Sequence, residues 1–399
     1  MGTTWQYMFS HSLAAALLTS VMAYGAGCSS NNSAGDPNNP NNPNNPNNPG
    51  SGNPGFFHTQ GSQIVDSGGN PVRLTGVSWF GMETGTFAPH GLDKRSLGSM
   101  LDQIKSVGFN SIRIPFCTQM FDAGSTPSGI DFGKNPELQG KKPLEILDIL
   151  VAQAGQRGLR IILDRHRPDS GGQSEVWFTG QYSEQRWIDD WKMLATRYKT
   201  NPTVVGFDLH NEPHGQATWG SGSQTTDWRA AAGRVGNEIL AIHPDILLIV
   251  EGIEQFSGKY YWWGGNLTPA AASPVQVQSA GHIVYSPHDY PASVYGQSWF
   301  SDPNYPNNLA GVWDTYWGYL AKQNLAPIWL GEFGTKLQTD SDTKWLTSLV
   351  SYLQQNKLSF AYWCWNPDSG DTGGILQDDW TTLNQNKVDA IKPALAPSL

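Results

Sequence analysis

From residue 56 onward, short apolar runs alternate with longer stretches whose apolar residues recur at helical spacing. The runs predict strands at 73–80, 111–116, 158–166, 203–210, 246–251, 282–288, 327–332 and 360–366. Most are rich in β-branched and aromatic residues and lack strict alternation, as expected for strands covered on both faces. Between them the 3.6-residue period predicts helices, among them Leu97–Val107, Pro143–Arg157, Gln185–Lys199 and Asp227–Ile242. Repeated βα units imply a parallel sheet, and eight of them imply closure into a (β/α)8 TIM barrel. A leading segment, 57–74, carries the turn Asp66-Ser67-Gly68-Gly69-Asn70 and predicts a hairpin that caps the bottom of the barrel. The stretch 252–281 is longer and looser than a helical crossover. It contains Tyr260-Tyr261-Trp262-Trp263-Gly264-Gly265-Asn266, a candidate wall for a substrate cleft.

Upstream the pattern changes. Residues 12–27 form an apolar, small-residue stretch that is too short for a membrane span, and residues 1–28 read as a signal peptide. Cys28 follows Gly25-Ala26-Gly27, a context like that of a bacterial lipoprotein cleavage site, but Gly25 stands where such sites carry Leu. Two outcomes stay open: free secretion, or anchoring to a membrane through an acylated Cys28. Residues 29–55 are built on repeated Asn-Asn-Pro, which cannot bury a core, so a disordered linker is expected there. The expected organisation is thus 1–28 signal segment, 29–55 linker and 56–399 a single catalytic domain.

Net charge is −9 with 15% charged residues and no basic cluster, which argues against nucleic acid or an anionic membrane surface as the partner. The chain has 17 Trp and 14 Tyr, and much of the Trp lies in loops, where a flat ring can pack in the core or stack on the apolar face of a pyranose. Cys117 and Cys364 are expected free and buried.

In a parallel barrel the strand tips open on one face and gather residues distant in sequence. Glu212 ends the run Val204-Val205-Gly206-Phe207-Asp208-Leu209-His210-Asn211-Glu212-Pro213, and Glu332 ends Pro327-Ile328-Trp329-Leu330-Gly331-Glu332. Two carboxylates meeting there are what glycosidic cleavage requires. Glu212 is the expected acid/base, with a pKa raised by apolar surroundings or by the other carboxylate. Glu332 is the expected nucleophile, kept ionised by Arg113 and steadied by Tyr290. Asn211 is expected to bind a sugar 2-hydroxyl, and His166 and His288 to hydrogen-bond the substrate or the glutamates. A metal site using Asp164-x-His166 and His288-Asp289 is the competing reading, but no His-x-His follows the first strand. No metal ion and no cofactor are expected.

Leu209-His210-Asn211-Glu212-Pro213, Gly331-Glu332-Phe333-Gly334, Arg113-Ile114-Pro115 and His288-Asp289-Tyr290 resemble glycoside hydrolase family five, the retaining cellulase-type barrel. Ile162-Leu163-Asp164-Arg165-His166-Arg167-Pro168 and Trp365-Asn366-Pro367-Asp368-Ser369-Gly370 are similar to endo-β-1,4-glucanases of the actinobacterial thermophilic type. The resemblance covers roughly residues 56–395. It implies Glu212 as acid/base and Glu332 as nucleophile of a double displacement on cellulose or another soluble β-glucan. Arg113, His166, Asn211, His288 and Tyr290 would surround them. It also implies sugar platforms at Trp79 and Trp263. A Trp at the end of the eighth strand would floor the cleavage subsite: Trp363 and Trp365 share strand parity, and Trp363 is favoured. Relatives often pair cysteines where this chain has Asp169-Ser170-Gly171-Gly172 and Thr218-Trp219-Gly220, so those staples are missing. The expected partner is a polysaccharide and the expected state a monomer. Mannan, xyloglucan and mixed-linkage glucan remain alternative substrates, and a non-catalytic carbohydrate-binding barrel is the alternative class.

Overall fold

The computed structural model describes residues 55–399. The signal-segment, Cys28 and nearly all of the linker expectations lie outside the described residues. Three short antiparallel strands open the fold: β1 (Phe57–Gln60), β2 (Gln63–Asp66) and β3 (Pro71–Val72). Their turn forms because Asp66 Oδ1 accepts the backbone N–H of both Gly68 and Asn70, each at 2.8 Å. The barrel then begins with β4 (Thr75–Ser78), α1 (Leu97–Val107), β5 (Ser111–Cys117), α2 (Pro143–Gln156), β6 (Arg160–Arg167) and α3 (Glu184–Tyr198). It continues with β7 (Val204–Asp208), α4 (Trp228–Leu240) and β8 (Leu247–Glu251), followed by a small hairpin, β9 (Gln255–Phe256) and β10 (Lys259–Tyr260). After β11 (Ile283–Ser286), a continuous helix is made of α5 (Leu309–Trp313), a π turn (Asp314–Gly318) and α6 (Tyr319–Lys322). Then come β12 (Trp329–Leu330), α7 (Asp340–Gln355), β13 (Ser359–Tyr362) and α8 (Gln385–Ile391).

Eight of these strands pair in the order β11-β8-β7-β6-β5-β4-β13-β12, all parallel. Parallel bridges Tyr285–Ile328 and His288–Glu332 join the two ends, so the sheet closes into a (β/α)8 barrel. The observed strands match the eight expected runs; most are shorter, while β5 and β6 run one residue further and β13 starts one residue earlier. The helices start where the sequence supplies caps. Ser96, Ser183, Asp227 and Thr339 each accept a backbone N–H of the first turn of α1, α3, α4 and α7.

Two cores explain how the strands present chemistry. The larger one fills the space between strands and helices and includes Ile161, Leu163, Ile112, Ile114, Leu248 and Val250. The smaller one plugs the barrel interior. It joins Phe57 and Ile64 of the hairpin to Leu74, Ile162, Leu247, Ile249, Val284 and Trp329. Strand alternation therefore sorts each strand into an outward apolar row and an inward row that changes character along its length. On β6 the inward row runs Ile162, Asp164, His166; on β8 it runs Leu247, Ile249, Glu251. The apolar floor gives way to buried polar groups toward the C-terminal end. Cys117 and Cys364 are both buried and free. Among the described residues no helix is long and apolar enough to cross a membrane.

Candidate active site

A cleft of about 680 Å³ lies over the polar ends of the inward rows. Phe80, Glu83, His166, Gln173, Glu212, Glu254, Trp262, Trp263, Tyr290, Tyr295, Glu332 and Trp363 are among the residues that line it. At its base Arg113, fully buried, spreads its guanidinium among acids from four other strands or strand ends. Nε donates to Asp208 Oδ2 at 3.0 Å, and Nη2 lies 3.1 Å from Asp164 Oδ2 and 3.4 Å from Glu251 Oε1. Nη1 donates to Glu332. Burial alone pulls the guanidinium down, but the surrounding carboxylates hold its pKa well above the ordinary value, so it stays charged. Burial pushes both Asp164 and Asp208 up to about 7 despite Arg113, so these acids take up protons near neutral pH.

Glu332 is therefore held from two sides. Besides Arg113, the Tyr290 hydroxyl donates to Glu332 Oε2 at 2.6 Å. Burial and the charges of Glu332 and Glu212 keep the Tyr290 phenol protonated, with its pKa well above the usual value. Asn211 Oδ1 accepts from Arg113 Nη2 at 2.9 Å, while its buried Nδ2 has no partner within the protein. His166 Nδ1 donates to Asp164 Oδ2 at 2.6 Å. Burial pushes the His166 imidazole down to about 4, so it is neutral under ordinary conditions.

Glu212 follows β7 and has a left-handed backbone, φ 51°, unusual for a residue with a side chain. Its Oε1 accepts from His288 Nδ1 at 3.0 Å and its Oε2 from Gln173 Nε2 at 3.0 Å. These contacts correct the expectation of a raised pKa. Burial does push Glu212 up, but the His288 hydrogen bond and charge, together with Gln173, outweigh it, and the net shift is downward. His288 moves the opposite way. Burial pulls it down, yet Glu251, Glu332 and Glu212 raise it well above its ordinary value, which favours the imidazolium.

The four tryptophans divide. Trp363 lines the cleft and lies near-parallel to the rings of Phe80 and His166, with centroids 5.6 Å and 5.4 Å away. Trp263 is 43% exposed and stacks on His214 at 3.8 Å, with 8° between the planes. Trp79 and Trp365, by contrast, are fully buried and cannot meet a sugar. Trp79 Nε1 donates to the His90 carbonyl, and Trp365 packs into the helix-facing core with its Nε1 toward Met100. Parity misled at Trp365, which lies beyond the end of β13 at Tyr362, whereas Trp79 keeps the outward parity of Val77 and shares its helix-facing core. Beyond the last ladder bond, side chains need not alternate.

Residues the sequence reading left without a role also enter the cluster. Glu251 accepts the Glu212 backbone N–H, and Gln173 reaches Glu212 from the loop after β6. Glu251 had been legible only as a polar strand tip. Gln173 carried no signal. The residues of the metal reading are otherwise engaged. Asp164 is taken up by Arg113 and His166, and Asp289 accepts from Tyr261, Trp313 and Trp345. Glu212, His288 and Glu332 bring ligand-type atoms within 4.8 Å of one another, but the Arg113 guanidinium lies against Glu332 on the same cluster.

Comparison with known proteins agrees with this geometry. Residues 65–369 match the family model for cellulase, glycosyl hydrolase family 5. The chain is 54% identical to an endoglucanase of Paenibacillus polymyxa over 348 residues, covering 86% of this chain and 88% of that one. The catalytic domain of the major endoglucanase of Xanthomonas campestris superposes with a TM-score of 0.81 at 41% identity, covering 85% of this chain and 99% of that domain. An endocellulase of Pyrococcus horikoshii, solved as a complex with cellotetraose, also gives 0.81 at 38% identity, covering 86% of this chain and all of that one. These relatives do not single out the actinobacterial subgroup.

Proposed function

Because the chain belongs to glycosyl hydrolase family 5, we propose that it is a retaining endo-β-1,4-glucanase, with Glu212 as acid/base and Glu332 as nucleophile. The observation that carries this reading is the spacing of the two glutamates, which bring carboxylate oxygens within 4.8 Å of each other. Retaining glycosidases set their carboxyls roughly 5–5.5 Å apart, whereas inverting ones need about 6.5–9.5 Å to admit a water between them. The close spacing favours attack by the enzyme itself.

In the first half-reaction Glu332 Oε attacks the anomeric carbon and forms a glycosyl ester. The C–O bond to the leaving sugar breaks and Glu212 delivers a proton to the departing oxygen. Arg113 and Tyr290 hold the Glu332 carboxylate in line, so little reorganisation remains at the moment of attack. In the second half-reaction Glu212, now ionised, takes a proton from water as that water attacks the same carbon and frees Glu332. Asn211 Nδ2, without a protein partner, is available to a sugar hydroxyl beside the reacting carbon. Trp363 and Trp263 offer flat apolar faces to the pyranose rings on either side.

The reading extends to a glucan polymer as substrate, to a monomer in solution and to secretion, since the Xanthomonas relative is named an extracellular endoglucanase. Mass spectrometry of the membrane fraction separates an acylated Cys28 from free release. The activity itself is tested on soluble carboxymethyl-cellulose, following viscosity and reducing ends together, with mannan and xylan alongside. A fast viscosity drop with few new ends on the cellulose substrate is expected. Activity on mannan alone would move the substrate, and silence on all three with the fold intact would favour the carbohydrate-binding barrel.

A further inference from the structure

Behind the acid/base lies a carboxylate that the double displacement does not use. Glu251 stands at the tip of β8 with its side chain fully buried. Its Oε2 accepts the backbone N–H of Glu212 at 2.7 Å. Its Oε1 lies 3.2 Å from His288 Nε2, at ion-pair distance though not aligned as a hydrogen bond, and 3.4 Å from Arg113 Nη2. The opposite nitrogen of the same imidazole, Nδ1, reaches Glu212 Oε1 at 3.0 Å. One side chain thus touches the acid/base twice, once through its peptide and once through a histidine.

The surroundings are built around this contact. The left-handed backbone of Glu212 turns its N–H toward Glu251. Gly264 packs so closely that an added Cβ would stand 2.1 Å from Glu251 Oε2 and 3.1 Å from the Glu212 Cα. Only a residue without a side chain fits between them.

We propose, resting on the assignment of Glu212 above, that Glu251 is the positioning residue of the acid/base: it fixes the Glu212 peptide and keeps a proton on His288 Nδ1, opposite Glu212 Oε1, for Glu212 to draw on when sugar displaces water from the cleft. In that step the Nδ1–H bond breaks and an O–H bond forms on Glu212, leaving a neutral imidazole backed by Glu251. When product leaves, the proton returns. This accounts for a site that holds Glu212 low and His288 high, although the reaction begins with Glu212 protonated. Other ionisable groups face the chain. Arg113 from β5 opposes a proton on it, whereas Asp164 from β6, Asp208 from β7 and Glu332 after β12 favour one. Burial and Asp208 push Glu251 up while His288 and Arg113 pull it down, so the Glu251–His288 pair titrates as a unit, and removing the carboxyl removes the charge that holds the proton on the ring.

The test is Glu251→Gln, which keeps an oxygen for the Glu212 peptide but removes the titrating carboxyl. The alkaline limb of kcat/KM on cellotetraose is expected to move to lower pH, because His288 loses its proton earlier. Cellotetraose hydrolysis at the alkaline edge is expected to fall about tenfold, part of the roughly 10²–10⁴ that general acid catalysis supplies. Release of dinitrophenol from an aryl cellobioside, which needs no acid, should change little. An unmoved limb with equal loss on both substrates overturns the proposal and leaves Glu251 a packing residue. Glu212→Gln, run alongside, separates the two claims: if it too lacks the leaving-group signature, the acid/base assignment fails, not the relay. Should Glu251→Gln not fold, ¹⁵N-imidazole NMR of the unaltered protein decides. A His288 without a proton on Nδ1 at neutral pH overturns the proposal, and a protonated one supports it.

Discussion

Arg113→Met is the perturbation that bears most directly on how the barrel tolerates its polar interior. Met keeps the length of the stem and removes the only cation in contact with Asp164, Asp208, Glu251 and Glu332 at once. Removing one partner of a buried ion pair typically costs about 3–5 kcal/mol, because the remaining charge is stranded. Here the stranded groups have an escape. Burial already holds Asp164 and Asp208 at about 7, and without Arg113 they rise further and bind protons. The sign follows from proton binding. Above about pH 4 an unfolded Asp is ionised, while the folded variant keeps its protons, so the variant loses stability as pH rises. The full cost of about 3–5 kcal/mol is expected at pH 8 and less than half of it at pH 5. Urea unfolding of both proteins at the two pH values measures the difference. An equal cost at both, or a cost below about 1 kcal/mol at pH 8, would refute the reasoning that a single guanidinium offsets the buried acids.

Glu332→Gln should abolish hydrolysis by roughly 10⁴-fold or more while leaving cellotetraose binding measurable by calorimetry, since the shape persists and the charge does not. Glu212→Gln should lose roughly 10²–10⁴ on oligosaccharides yet still form the glycosyl-enzyme from a substrate with a good leaving group, seen as a burst. Trp363→Ala should weaken oligosaccharide binding with little change in unfolding, whereas Trp365→Ala should cost about 3–5 kcal/mol in urea unfolding and spare the activity of the folded fraction. His243 is fully buried between Phe56 and Phe207, with no partner for either ring nitrogen, and burial holds it at about 4. An unfolded His binds its proton near 6.5, so this group's contribution is present above that and lost as pH falls toward 4. His243→Leu should flatten that part of the acid limb by up to about 3 kcal/mol in unfolding measurements.

Legibility differed between levels for physical reasons. The strands could be read because a strand covered on both faces must be a continuous apolar run, and the helices because each must face the barrel with one stripe. The placement of Glu212 and Glu332 on one face followed from topology alone, since parallel strands share their ends. The tryptophans at the end of the eighth strand could not be sorted this way. Parity holds only along the strand, and Trp365, three residues past the end of β13, leaves the row that Ala361 and Trp363 share, whereas Trp79 keeps the outward parity of Val77. The hairpin plug was legible as a turn, but not its contact with Ile162 and Leu247, which depends on closure.

The sequence by itself determined the strand and helix succession, the barrel, and the two glutamates with Arg113, Asn211, His288 and Tyr290 beside them. Only the tertiary structure decided which of these groups carry protons. It set Glu212 low and His288 high, against the expectation of a raised acid, because a pKa depends on distances of about 3 Å across strands far apart in the chain. It also brought Glu251 behind Glu212, where the absence of a side chain at Gly264 leaves room for the contact. Composition and periodicity carry direction along a strand. The charge state of a buried cluster depends on through-space neighbours and on water excluded from between them, and neither exists until the barrel closes.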